Sequence, residues 1–391
     1  MRIAQVVSSY HPQIGGVETH VRRLAQGCAE AGDSVTLLTH QVGDAPDDEW
    51  VGAVRVLRFP LTVSSRTYPL SLCLFRYLKR HAADFDLVHA HNYHTLVGHA
   101  AVRSGLPFVF TPHYHGTGHT PLATFLHRLY RGAGARLFTA ANAVICVSQP
   151  ECELVTQDFP GPTAKIVVIP NGTDPRRPAS GHDEIIPDTP VVLTVGRLER
   201  YKNVDLIIDA FRALPTPATL VVVGDGPDRR RLEQRAGAGG PGWPVVFTGT
   251  IPDARLDRLF AQAIVVSSAS DHEAFGLTLA EGLASGARVV ASTIPAHAAV
   301  ARLVGTDAPV ALVDPRDTKR FTDVLAASLD AGRIPPAGLS LPSWAEVAGT
   351  TRELYSQVLL PNQLAYRRGP PSDMPLRSLP RAAESAPTES A

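Results

Sequence analysis

The run Ala263-Ile264-Val265-Val266-Ser267 is followed, after a short polar stretch, by Glu273-Ala274-Phe275-Gly276-Leu277-Thr278-Leu279-Ala280-Glu281. The first run has the length and composition of a buried strand. Leu279, Leu283 and Ala284 then recur at helical spacing, so the segment reads as strand, loop and a helix starting near Gly276. Glu273 and Glu281 therefore bracket a helix start. Eight residues of helix rise about 12 Å, whereas the two carboxyl groups that flank a glycosidic bond in a hydrolase stand roughly 5 to 9.5 Å apart. The pair is thus not expected to share one scissile bond. Free amides of Gly276, Leu277 and Thr278 would point out of the helix N-terminus, where the macrodipole favours an anion such as a diphosphate. With Glu273 gripping hydroxyls on one side of that anion and Glu281 on the other, a ligand with a sugar, two phosphates and a ribose in line fits the spacing. The competing account is an ordinary amphipathic helix with a solvated Glu at each end.

Outward from this segment, strand-like and helical runs alternate along most of the chain. Ile3 to Ser8, Ser34 to Thr39, Leu87 to His89, Phe108 to Thr111, Ala143 to Val147 and Ile166 to Ile169 read as strands, with a helix over Val21 to Cys28. That pattern predicts a parallel sheet with crossover helices. From Asn171 the composition turns polar and turn-rich, Asn-Gly-Thr-Asp-Pro-Arg-Arg-Pro-Ala-Ser-Gly, up to about Pro190, and the interdomain link is expected there. A second series follows, with strands Val191 to Val195, Thr219 to Val223, Val245 to Phe247, Ile264 to Ser267 and Arg288 to Ala291 and a helix over Val204 to Ala213. Two doubly wound halves would face each other across a cleft, with ligands beyond the C-terminal strand ends. The expected division is residues 1–175, 176–343, a late helix over 344–359 that packs back onto the first half, and a Pro-, Arg-, Ser- and Ala-rich disordered tail over 361–391.

Gly196-Arg197-Leu198 follows one of these strands, and Lys202 stands five residues after Arg197, just ahead of the next helix. A guanidinium fork and an ammonium point charge at strand ends suit a diphosphate and the charge that develops as it leaves. Two solvated surface cations are the alternative. Gly15-Gly16 after the first strand lets a ligand approach the backbone, and Gly224-Asp225-Gly226-Pro227 is a tight turn without the third glycine of a dinucleotide fingerprint. No acidic residue ends the next strand, so nicotinamide binding is disfavoured. Histidines concentrate at His89, His91, His94, His99, His113, His115 and His119, which invites zinc. Residues two apart on a strand merely share a face, however, and no carboxylate or cysteine stands at ligand spacing, so no metal is expected. His113, directly after a strand, is placed to bond a sugar hydroxyl in the cleft.

Composition narrows the partners. With 391 residues, 44% hydrophobic and 19% charged, the chain has the balance of a soluble protein of two ordinary domains. Zero formal net charge gives no support to nucleic-acid binding. Cys28, Cys73, Cys146 and Cys152 are scattered, as in a cytoplasmic protein with reduced thiols. No signal peptide is read at Met1 to Val7, and no run approaches the roughly 20 apolar residues of a membrane span. Residues 121–138 carry Arg128, Arg131 and Arg136 among Phe125, Leu126, Leu129 and Leu137. They read as an amphipathic helix of the first domain, with peripheral contact to the inner face of a membrane as the alternative.

Taken together, Gly15-Gly16-Val17-Glu18, Asp86-Leu87-Val88-His89-Ala90-His91, Thr111-Pro112-His113, Ile169-Pro170-Asn171-Gly172, Gly196-Arg197 with Lys202, Gly224-Asp225-Gly226-Pro227 and Glu273 to Glu281 resemble the family 4 retaining glycosyltransferases. The likeness runs in order up to about Leu359. It implies a GT-B fold, an α/β architecture of two Rossmann-like domains. It also implies a nucleoside-diphosphate sugar held mainly by the C-terminal domain, an acceptor held mainly by the N-terminal one, and no metal or other cofactor. By motif position, Arg197 and Lys202 would hold the diphosphate and Glu281 the ribose hydroxyls. Glu273 would meet the transferred sugar with the amides of Phe275, Gly276 and Leu277. Gly16 would lie against the donor phosphate, His113 would contact the sugar, and the backbone near Ile251 would meet the base. The departure is Gly282-Leu283-Ala284-Ser285-Gly286-Ala287, where the family commonly shows alanine, methionine, cysteine and proline. Neither uridine or guanosine nor the acceptor is settled by the sequence. Two further readings stand beside it: a sugar-nucleotide epimerase or phosphorylase on the same plan, and a non-catalytic nucleotide-sugar sensor.

Overall fold

The computed structural model describes residues 1–13, 15–65, 68–116, 121–160, 165–174, 189–237, 243–305, 308–335 and 341–367. One sheet contains β1 (Arg2–Val6), β2 (Ser34–His40), β3 (Asp48–Val51), β4 (Val54–Phe59), β5 (Leu87–His91), β6 (Phe108–Thr111), β7 (Ala143–Cys146) and β8 (Lys165–Val168). Their order is β3-β4-β2-β1-β5-β6-β7-β8, parallel throughout except for the antiparallel pair β3 and β4. The other sheet contains β9 (Val191–Val195), β10 (Thr219–Val223), β11 (Val245–Gly249), β12 (Val265–Ser268), β13 (Arg288–Ala291) and β14 (Val310–Leu312), all parallel, in the order β11-β10-β9-β12-β13-β14.

Continuous apolar strands follow from this topology, because crossover helices cover both faces of a parallel sheet. Alternate residues of each strand then enter different cores. In β7, Ala143 and Ile145 join one buried cluster, while Val144 and Cys146 join the other. In β10, Leu220 and Val222 lie on one side and Val221 and Val223 on the opposite one. Strand order reverses between β1 and β5 in the first sheet and between β9 and β12 in the second. At such switch points the loops leave in opposite directions and open a crevice for ligands.

The last helix, Trp344–Arg367, returns to the first sheet, where Trp344, Val347, Ala348, Tyr355 and Leu359 pack with Val21, Leu24 and Cys28 of the helix Gly16–Glu30. Gly27 permits the close approach, since a Cβ there would stand 2.7 Å from Ala348 Cβ. Arg352 Nε fastens the same contact by donating to Asp33 Oδ2 at 2.6 Å. This helix is longer than the sequence reading expects. Its pattern continues through Pro361 to Arg367, over a Gln-Leu-Ala stretch of good helix formers, so the segment read as tail from 361 is helical up to 367. Residues 368–391, the link over 175–188 and His119 lie outside the described residues.

The halves touch beside the second switch point. Ser148 Oγ donates to the Ala274 carbonyl at 2.7 Å, Leu277 packs against the cores of both halves, and Arg22 pairs with Asp253 at 2.7 Å.

Candidate active site

Two loops meet at the β9 and β12 strand ends. The first passes Gly196-Arg197 into a short turn, Arg200–Lys202, and the second runs from Ser270 to Gly276. Backbone and side-chain bonds join them: Asp271 N–H donates to the Tyr201 carbonyl at 2.9 Å, and Asn203 Nδ2 to the Ala269 carbonyl at 3.1 Å. This brings Lys202 Nζ to 2.5 Å from Glu273 Oε1, which also accepts from Ser270 Oγ at 2.9 Å. Burial alone would raise the Glu273 pKa, but the Lys202 ammonium, together with His297 and the Ser270 hydroxyl, outweighs it and holds the carboxyl below its usual range. For Lys202 burial pulls down and Glu273 pulls up, with a net rise. Both groups are therefore charged at neutral pH.

Arg197 is also at this end of the sheet, more exposed than Lys202, and pairs with Glu199. Its loop is held by the turn after β10. Gly196 N–H donates to the Val223 carbonyl at 3.0 Å and Leu198 N–H to the Asp225 carbonyl at 2.9 Å. At Gly224, where φ is +121°, a Cβ would overlap the Gly196 carbonyl oxygen, so only glycine lets the two backbones lie this close. Across the cleft, a Cβ built on Gly15 would stand 4.0 Å from Arg197 Cδ, which places the glycine turn of the first domain against this cation. Gly16 has open space where its side chain would be.

The helix Leu277–Ala284 begins at Gly276, whose φ of +97° suits glycine, and no side chain among the described residues caps it. Its first N–H groups lack intrahelical acceptors, as at any helix start. Phe275 is buried in the second-domain core, Thr278 Oγ1 reaches the Val195 carbonyl at 3.4 Å, and Glu281 is half-buried one turn into the helix. The separation of the two glutamates is therefore part loop and part helix: only Leu277 to Glu281 rises helically, about 6 Å. The sequence estimate of eight helical residues is corrected accordingly. Ile251 follows β11 with its side chain in the core, leaving its backbone as the part able to meet a ligand.

His297 was missed by the sequence reading, hidden in the apolar helix Pro295–Val304. Its ring edge lies 3.2 Å from the Cβ position of Gly276, and Nδ1 is bonded to the Ser292 carbonyl at 3.0 Å. Ser292 Oγ in turn donates to the Ser270 carbonyl at 2.6 Å, so this histidine and serine brace the loop that carries Glu273.

His113 lies in the first domain just beyond β6, in a left-handed conformation with φ of 47°. Glu151 anchors this turn, accepting from Tyr114 N–H at 2.5 Å and from Val147 N–H at 2.6 Å, while burial pushes its carboxyl up to about 8. His113 packs with His20 and His91, with centroids 4.8 and 6.0 Å away. His20 comes from the helix Gly16–Glu30, one position before the apolar stripe that begins at Val21, which is the signal that could have placed it here. His89, by contrast, is fully occupied by the Tyr355 hydroxyl at 2.6 Å and Thr111 Oγ1 at 2.7 Å.

Two Rossmann-like parallel sheets, each with its own switch point, form the GT-B architecture. Residues 14–177 match the family described as Glycosyltransferase Family 4, and residues 179–331 match Glycosyl transferases group 1. The chain belongs to the family 4 glycosyltransferases. It is 28% identical over 387 residues to a D-inositol 3-phosphate glycosyltransferase of Xylanimonas cellulosilytica, spanning 88% of this chain and 92% of the relative. It is 29% identical over 312 residues to an O-antigen chain mannosyltransferase C of Escherichia coli, spanning 72% and 76% of the two chains. Among solved structures, Anabaena HepE in complex with UDP and glucose superposes with a TM-score of 0.72 at 19% identity, covering 91% of this chain and 99% of that one.

Proposed function

We propose that this chain moves a hexose or amino-hexose from a nucleoside-diphosphate sugar to an acceptor hydroxyl, with retention at the anomeric carbon and without a metal ion. The observation that carries this is the Lys202–Glu273 pair at the second switch point, 2.5 Å across, next to an uncapped helix start and with Arg197 and Gly15 on the cleft side. When the donor binds, Lys202 and Arg197 neutralise the diphosphate, with Gly16 against it from the other half. Glu273 turns to the sugar hydroxyls with the amides of Phe275, Gly276 and Leu277. Glu281 takes the ribose, the Ile251 backbone the base, and His113 the sugar. The acceptor oxygen attacks the anomeric carbon on the face from which the diphosphate departs. The bond from that carbon to the phosphate oxygen breaks, its electrons stay with the diphosphate, and the acceptor proton passes to the leaving phosphate. Closure of the halves keeps water from taking the acceptor's place.

The complex of HepE with UDP and glucose supports a uridine donor for that neighbour, and the same chemistry is the starting point here. Incubation with UDP- and GDP-sugars and a panel of hydroxyl acceptors, followed by NMR of the product, tests the reading. A new glycosidic bond with the donor's anomeric configuration is expected. An inverted product would sink the mechanism. Donor epimerised without acceptor, turnover dependent on inorganic phosphate, or binding without any turnover would replace it by an epimerase, a phosphorylase or a sensor.

The acceptor is proposed to be presented at a membrane. No helix among the described residues is long and apolar enough to span one. On the helix Pro121–Ala140, however, Phe125 and Leu129 are 58% and 69% exposed and share a face with Arg128 and Arg136. Apolar groups beside cations suit an anionic interface. Co-sedimentation with phosphatidylglycerol vesicles is expected for the native chain and lost in Phe125→Ser/Leu129→Ser. Equal sedimentation of both, or of neither, rejects this contact.

A further inference from the structure

The structure assigns a second site to this chain: we propose that His20, His91 and His113 bind a divalent d-block cation of the zinc class in the first domain, beneath the β1 and β5 switch point. One nitrogen from each ring lies within 4.8 Å of the others, and all three side chains are buried. Nε2 of His20, both ring nitrogens of His91 and Nε2 of His113 have no hydrogen-bond partner among the described residues. Orphaned polar atoms at this depth cost free energy unless something fills the gap between them. His20 Nδ1 is bonded to Asn171 Oδ1 at 2.7 Å, an arrangement that puts the proton on Nδ1 and turns the lone pair of Nε2 toward the other two rings. A partner on the far nitrogen is how proteins orient a histidine ligand.

The donor set suits such an ion. Imidazole nitrogen favours zinc, copper, nickel or iron over the hard cations, and three histidines with an open fourth position is a known zinc geometry. At metal–nitrogen distances of about 2.0 to 2.1 Å the donors of a tetrahedral site stand about 3.4 Å apart. The rings must therefore draw in from separations of up to 4.8 Å, a movement side-chain rotation can supply. Three neutral ligands leave the positive charge uncompensated, so the fourth position takes water that ionises readily or another anionic oxygen. His113 is the most exposed of the three, at 7%.

The cation site is argued from the three rings alone and does not rest on the transfer reading, but the two share His113, the ring proposed to meet the sugar, so cation and donor compete for it. The alternative filling is water, hydrogen-bonded to the same nitrogens.

The test uses the full chain, stripped with EDTA and titrated with Co2+ at neutral pH. Uptake of about one equivalent with the visible absorption of low-symmetry, imidazole-ligated Co2+, bleached by Zn2+, is expected. His20→Gln and His91→Gln should each abolish the band, whereas His81→Gln, on the surface beside Asp84, should keep it. Circular dichroism establishes that the variants fold. If one does not, zinc K-edge absorption of the native protein decides the matter, and three imidazole ligands are expected. No band in excess Co2+, a band that survives both variants, or fewer than three imidazoles at the zinc overturns the proposal.

Discussion

Lys202→Ala is expected to lower kcat/KM for transfer by about 10²- to 10³-fold while the chain still folds, since it removes a preorganised cation from the leaving diphosphate. Arg197→Ala should act in the same direction, with less effect on stability because its side chain is exposed and already shared with Glu199. The lysine change also leaves Glu273 half-buried without its ammonium, and this has a readable sign. In the native chain the folded pKa of Glu273 lies below its unfolded value, so the stability the pair contributes is present above the unfolded pKa and lost as pH falls through the folded one. In the variant only His297 and the Ser270 hydroxyl still oppose burial, so the folded pKa rises from its native position and the stability that Glu273 contributes above that window shrinks. The native chain's margin over the variant in thermal melts should therefore widen from acid to neutral pH, and a margin independent of pH would show that Lys202 does not control Glu273.

Glu273→Gln separates the sugar from the diphosphate. Transfer should fall by about 10²-fold or more, because a carboxylate aimed at the sugar hydroxyls becomes a weaker, neutral acceptor. Affinity for the nucleoside diphosphate alone should be kept or improved, since Lys202 no longer has a competing counter-charge 2.5 Å away. Calorimetry with the diphosphate and with the diphosphate sugar makes the comparison. A parallel loss of affinity for both ligands would mean that Glu273 serves only to hold Lys202 in place.

Much of this fold is legible in the chain because parallel strands covered on both faces are uninterrupted apolar runs. Val191–Val195, Phe108–Thr111, Thr219–Val223 and Arg288–Ala291 have the same ends in sequence and structure. The strands without a sequence counterpart are those that break this rule. Asp48–Val51 is a charged, antiparallel edge, and Val54–Phe59 carries Arg55 and Arg58. Arg58 is buried all the same, because Glu49 and the carbonyls of Pro46 and His11 receive its guanidinium. Val310–Leu312 is too short to register against its surroundings.

The candidate site divides in the same way. Local chemistry exposes Arg197, Lys202, Glu273 and the glycine at the helix start, since each follows a readable strand. What brings Lys202 to Glu273, 71 positions away, is the β9–β12 adjacency, which no local pattern states. His297 escaped notice inside an apolar helix, and His20 because its partners, His91 and His113, come from β5 and from the loop after β6. A group of side chains assembled from three separate elements has no spacing to recognise.

If a diphosphate threads between the two halves at the C-terminal switch point, a crystal structure of the chain with UDP or GDP will show it. The diphosphate is expected in ion-pair contact with Arg197 and Lys202 and at the start of the helix Leu277–Ala284, with the ribose at Glu281. A nucleotide bound elsewhere, with the Lys202–Glu273 pair undisturbed and the cleft vacant, would contradict it.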